Sequence, residues 1–252
     1  DVFDFIESIA SCSSSQMCTY LGLLKGFLSY LYDEGRIEEN LAVFVPRSSY
    51  KGNPEIPSVY STDEIGLLLN SLNRASPLGK RNYAIILIAA RLGLRASDIA
   101  RLEFSCLIWE KSCISLIQYK TKEPLVLPLT NEIGSALIDY LKYSRPKSDS
   151  PRVFLRLNSP FKPMEDSAVS SAVSRAFKKS GITIANRKHG SHALRFSLAK
   201  RLLDSKTPIP IIAKIYGHVS TQTTMKYLSI DEDALKQCAL EVAPYTFKEA
   251  II

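Results

Sequence analysis

The sequence predicts a mainly helical protein with one small antiparallel β-sheet, an α+β class. Three observations carry that prediction. Tyr20, Leu23, Leu24, Phe27, Leu28 and Leu31 recur at the three-and-four spacing of a buried helical stripe. The period then changes over residues 103–128, where Cys113–Ile117 and Leu125–Leu127 read as strands around the polar run Gln118–Glu123. Helical patterning returns at Asn131–Tyr143 and again over 166–180.

In chain order, residues 1–45 read as helical, with Gly35 as a helix stop after Asp33-Glu34. Pro46, Gly52, Pro54 and Pro57, mixed with Ser and Asn, mark a linker over 48–60. Ser61-Thr62-Asp63-Glu64 matches a capping box, so a helix starts there. Lys80–Ala90 is a second helix, apolar enough over Tyr83–Ala90 to be buried. Gly93 breaks it, and Ala96 or Ser97 begins another, which puts Arg95 at a turn. Phe104–Trp109 is the candidate first strand of the sheet. Asn131–Tyr143 reads as an amphipathic helix, 144–150 as a polar loop, and 166–180 as a helix stopped by Gly181. Residues 186–190 form a basic loop, in which His189 reads as a surface residue. Thr207-Pro208 reads as an N-cap with Pro at the first helical position, before a helix that turns Ile211, Ile212 and Ile215 inward.

The chain has 252 residues, 46% hydrophobic, enough for one large core or two modest ones. No apolar run approaches the ~18 residues of a membrane helix, and no signal sequence stands at the start. The first residue is Asp1, which suggests a fragment. Cys12, Cys18, Cys106, Cys113 and Cys238 are odd in number and scattered, with no C-x-x-C pair. With three separated His, that argues against a metal site and for reduced, mostly buried thiols in a cytoplasmic protein.

Net charge is +7, unevenly placed. Residues 1–50 carry three Lys/Arg against seven Asp/Glu, whereas 142–206 carry fifteen against four. A basic surface of that size points to a polyanion partner, although a merely solvated surface has the same composition. Arg175, Lys178 and Lys179 on the 166–180 helix, with Arg187 and Lys188 in the basic loop, are candidate phosphate contacts.

Residues 192–227 concentrate the chemistry. Two of the three His of the chain lie there, and His192 and Arg195 are three apart, on one helix face. An imidazole beside a guanidinium can cradle a phosphate. Gly217-His218 follows, then Tyr227 nine residues after His218. Singly, each piece has a plain reading: a solvated helix face, or a packing Tyr. Arg95 by itself is equally well read as paired with Asp98. Order and spacing together are specific.

The set resembles the tyrosine recombinase (phage integrase) family. That family's pattern is an early Arg, a Lys in a β-turn, His-x-x-Arg, Gly-His, and a Tyr nine residues later. Arg95, Lys120, His192, Arg195, His218 and Tyr227 match it in order, and the resemblance covers roughly residues 55–240. Many members have Asp where this chain has Ala193, a position outside the catalytic set. The resemblance favours Arg95 as a catalytic Arg, Asp98 as the acid orienting it, and Lys120 over Lys122 as the turn Lys, with Lys122 left as a DNA contact. It implies that residues 1–47 are the C-terminal part of a truncated helical core DNA-binding domain. Residues 61–230 would then be the catalytic domain and 231–252 a tail docking in trans.

What the resemblance implies chemically is phosphodiester transfer without metal or cofactor. Tyr227 attacks a phosphate, Arg95 and Arg195 hold the non-bridging oxygens, and Lys120 protonates the leaving 5′-oxygen. His192 assists the Tyr proton or the phosphate, and His218 donates a hydrogen bond to the same oxygens. The expected partner is double-stranded DNA with inverted-repeat core sites, bound by a homo-tetramer, in the cytoplasm at the nucleoid. The function expected is site-specific recombination for a mobile element. The alternatives are a type IB topoisomerase-like nicking-closing enzyme and a catalytically silent DNA-binding regulator.

Overall fold

The structure is a computed structural model that describes residues 2–46 and 57–217. His218, Tyr227 and the 231–252 tail lie outside the described residues, as does most of the 48–60 linker. Backbone contacts divide the chain into two compact units, Asp1–Glu55 and Ile56–Ile252.

In the first unit, α1 (Val2–Ser8) precedes α2 (Ser14–Asp33), and a short 3-10 turn spans Leu41–Phe44. A capping box starts α2: the Ser13 hydroxyl accepts from the Gln16 N–H, and the Gln16 side chain accepts from the Ser13 N–H. The helix stops at Gly35, whose φ of +64° suits glycine. The buried stripe is displaced from the one the sequence suggests. Leu21 and Leu28 are buried with Ile9, Ala42 and Val45, and Leu24 packs against them, whereas Tyr20, Leu23 and Phe27 are exposed. The helix is apolar on more than one face, and the short elements packed on it cover the face carrying 21, 24 and 28.

In the second unit the order is α3 (Thr62–Asn70), α4 (Pro77–Leu92), α5 (Ala96–Ala100), β1 (Leu107–Ile108), β2 (Cys113–Ile117), β3 (Pro124–Pro128), α6 (Asn131–Tyr143), α7 (Asp166–Lys179), α8 (Ser191–Asp204) and α9 (Ile209–Tyr216). Ser61 caps α3 in the expected box. Every residue of α4 from Ala84 to Ala90 is fully buried, and α6 and α8 pack on it while α5 packs on α7. The sheet is antiparallel in the order β1-β2-β3, with Ile114 opposite Leu127 and Ser115 opposite Val126. Its inner face carries Ile114, Leu125 and Leu127; Ile117 and Val126 face out.

Three local expectations change. The first strand is two residues long, because 3-10 turns at Phe104–Cys106 and Trp109–Lys111 take up its flanks. Pro208, not Thr207, is the N-cap of α9, with Pro210 in its first turn, and Ile211 is exposed while Ile212 and Tyr216 are fully buried. Cys12, Cys18, Cys106 and Cys113 are free and only half-buried.

Candidate active site

The site forms where four segments meet. Helix α4 ends at Gly93 in the left-handed conformation, φ +63°, so the chain can turn back at once into α5. A Cβ at Gly93 would come within 2.7 Å of the Tyr216 ring, so the position also needs the absence of a side chain. Arg95 stands at the N-cap of α5 in extended geometry, and its guanidinium leaves the helix pair largely buried. Its Nη1 forms an ion pair with Asp98 Oδ2 at 3.9 Å, a separation beyond hydrogen-bond range. Among the described residues both atoms are buried without a hydrogen-bond partner. A buried guanidinium N–H left unmet is costly unless an anion completes it.

Asp98 does hold something else. Its Oδ1 accepts the Tyr119 N–H at 2.8 Å, which ties the Arg95 turn to the β2–β3 hairpin. That hairpin closes with Gln118 N–H donating to the Glu123 carbonyl and Lys122 N–H to the Gln118 carbonyl, both at 2.9 Å. Lys120 is exposed at its tip. Lys122 has φ +61°, and its ammonium lies 4.6 Å from the Tyr119 ring centroid, so the two turn lysines differ in setting.

Helix α8 brings the next pair. Arg195 is buried and donates to the Gly93 carbonyl and, at 2.9 Å, to the Tyr216 carbonyl. Its guanidinium also stacks on the Tyr216 ring at 4.1 Å. His192, one turn earlier on α8, keeps an exposed side. Lost hydration, and then the positive charges of Arg195, Arg95 and Lys120, push the His192 pKa below its ordinary value. The fold thus lets one imidazole feel the charges of Arg95 and Arg195, a hundred residues apart in sequence. Such a cluster, neutral at the imidazole and cationic around it, can hold an anion and exchange a proton beside it.

The remaining basic candidates divide. Arg175, Lys178, Lys179 and Lys188 are exposed. Arg187 is not a free phosphate contact: it pairs with Glu64, donates to the Val59 carbonyl, and stacks 3.8 Å over the Tyr60 ring. Six more Lys/Arg of the 142–206 segment are likewise engaged internally, among them Arg145 on the Val153 and Arg152 carbonyls and Arg201 on the Ala90 carbonyl. His189 is half-buried rather than on the surface, edge-on to Phe177, with its carbonyl accepting from Ser174. Gln118 is a site residue that sequence reasoning missed; a polar residue following an apolar strand is a weak signal. Among the described residues no group of three or more His, Cys, Asp or Glu stands together as a metal site.

The phage integrase family model matches residues 59–233. The protein y4rA of Sinorhizobium fredii, which carries the name integrase/recombinase, is 35% identical over 95% of this chain and 58% of its own length. A second such protein of that organism, y4rF, is matched over 51% of its length, so the chain spans about half of these relatives. The tyrosine recombinase XerC of Lactobacillus delbrueckii subsp. bulgaricus is 27% identical over 86% of this chain and 73% of its own. Two solved structures share the fold. XerH recombinase on a palindromic difH substrate gives a TM-score of 0.70 at 19% identity, covering 94% of this chain and 71% of that one. A lambda integrase tetramer bound to a Holliday junction gives 0.63 at 18%, covering 90% and 63%. With the motif residues in order and the family model spanning most of the second unit, the chain belongs to the phage integrase family of tyrosine recombinases.

Proposed function

We propose that this chain cuts and rejoins DNA at specific sites through a 3′-phosphotyrosine intermediate, in integration or excision of a mobile element. One observation carries the reading: Arg95 Nη1 is buried without a hydrogen-bond partner among the described residues, at a turn that Asp98 ties to the Lys120 hairpin. Family membership supports it. Tyr227 Oη attacks the phosphorus, the bond to the 5′-oxygen breaks, and Lys120 protonates that oxygen. Arg95 and Arg195 neutralise the charge that grows on the non-bridging oxygens, the largest contribution to such a step. A His192 held neutral can receive the Tyr227 proton as the attack proceeds. His218 donates to the same oxygens. Rejoining runs the same steps backward with a 5′-hydroxyl as nucleophile, which conserves bond energy and needs no metal.

The partner we propose is duplex DNA with inverted-repeat core sites, with protomers joined as a tetramer through residues 231–252 docking in trans. Residues 1–47 would form part of a second DNA-binding element, and Asp98 would orient Arg95. Exposed Lys122, Arg175, Lys178, Lys179 and Lys188 are the proposed backbone contacts. The test is Tyr227→Phe on a nicked suicide substrate. The variant should bind DNA as the wild type does and give no covalent protein–DNA band on a denaturing gel. A band from the Phe variant would remove Tyr227 as nucleophile.

A further inference from the structure

The β2–β3 hairpin that carries Lys120 is joined to the far end of the site by one side chain. Gln118 is fully buried, where an amide is tolerated only with its hydrogen bonds made. It makes two. Its Nε2 donates to the Tyr216 carbonyl at 3.1 Å, and its Oε1 accepts from the Thr121 hydroxyl at 2.7 Å. The orientation of the amide follows, because the reverse would set two oxygens against each other at Tyr216. The Tyr216 carbonyl also accepts from Arg195 at 2.9 Å. One carbonyl therefore binds both the Lys120 hairpin and a phosphate-clamp Arg. The approach is close: a Cβ on Gly217 would fall 2.2 Å from Gln118 Oε1, and Gly217 has φ +58°. Gly217 directly precedes His218 in the chain.

Lys120 itself is exposed on a long flexible stem, so its reach is set by where its backbone is held. That backbone is held on both sides: at 118 and 121 by the Gln118 bridge, and at 119 by Asp98. We infer that Gln118 is a positioning residue, which sets the Lys120 turn against Arg195 and the chain entering His218. The inference rests on Lys120 acting as the proton donor to the 5′-oxygen. Gln118 touches no reacting atom; its effect runs through Lys120.

Single-turnover cleavage on two nicked substrates, one ordinary and one with a 5′-bridging sulfur, tests this. Sulfur leaves without protonation, so it removes the need for a placed Lys120. Gln118→Met keeps length and volume and loses both hydrogen bonds. On the ordinary substrate it should slow cleavage ~10- to 100-fold, the scale of a small misplacement of a catalytic group. On the sulfur substrate the loss should shrink to a few-fold, as for Lys120→Ala, with DNA binding close to wild type. Thr121→Val breaks the same bridge at its more exposed end and should show a smaller loss with the same rescue; if Gln118→Met fails to fold, Thr121→Val decides. Rescue of Lys120→Ala without rescue of the Gln118 and Thr121 variants overturns the inference and leaves the Lys120 role standing, as does wild-type cleavage by both variants. No rescue of Lys120→Ala removes the Lys120 role, and the inference with it.

Discussion

Arg195 and Tyr216 hold each other twice. Arg195 Nη2 donates to the Tyr216 carbonyl, and the Tyr216 hydroxyl donates to the Arg195 carbonyl, each at 2.9 Å. The guanidinium rests on the ring between them. Since Tyr216 is fully buried, the pair fixes the α9 terminus and the Arg195 fork as one unit.

Tyr216→Phe removes one of these bonds and keeps the ring. We expect a loss of ~1 kcal/mol of unfolding free energy, the usual worth of one buried hydrogen bond. Urea unfolding measures it. The variant should still form the covalent adduct, in contrast to Tyr227→Phe; an adduct lost at Tyr216 would reassign the nucleophile.

Arg95→Lys keeps the charge but loses the planar fork. Its Nη1 is buried and without a hydrogen-bond partner among the described residues, so cleavage should fall about 10²- to 10³-fold, as for loss of one preorganised donor. Asp98→Asn retains an acceptor for the Tyr119 N–H and should cost less. Single-turnover cleavage with a parallel binding measurement separates the two effects; a binding loss equal to the rate loss would count against a transition-state role.

His192 should titrate below its ordinary value in the DNA-free protein, because lost hydration and three cations disfavour the imidazolium. NMR titration measures this directly, and Lys120→Ala should move the inflection upward. The unfolded chain then binds more protons than the folded one between the depressed folded value and the ordinary one. Stability should therefore rise with pH across that window and level off above it. His192→Gln should lack this component. An inflection at or above the ordinary value would mean that the cations do not face the ring.

DNA binding should weaken with salt by counterion release, but less than the basic count of residues 142–206 suggests. Arg187 and its internally engaged neighbours are tied to carbonyls and carboxylates. Replacing Arg175, Lys178 and Lys179 together by Ala should reduce the log–log salt slope by roughly 2 to 3, since each phosphate a side chain neutralises adds ~0.9 to it. Arg187→Ala should leave the slope alone and lower stability instead. The reverse pattern would show that the internal pairs open on DNA.

Much of this protein is local and legible in the sequence. Ser61 and Glu64 cap α3 because a capping box needs only four consecutive residues. The bounds of α6, and strand β2, follow from hydrophobic period. Arg95, Lys120, His192 and Arg195 stand out by motif order, which survives without knowledge of the fold. Tertiary structure decided the rest, because it depends on partners distant in sequence. Which apolar face of α2 is buried depends on what packs against it, not on its period. Arg187 has the look of a DNA contact until the fold sets Glu64 beside it, 123 residues away in sequence. Gln118 gains a role only when the hairpin meets the carbonyl of Tyr216, 98 residues further on. A sequence displays periods, caps and motifs, since these are set by neighbouring residues; which charges pair and which polar groups are buried is settled only when distant segments exclude water from one another.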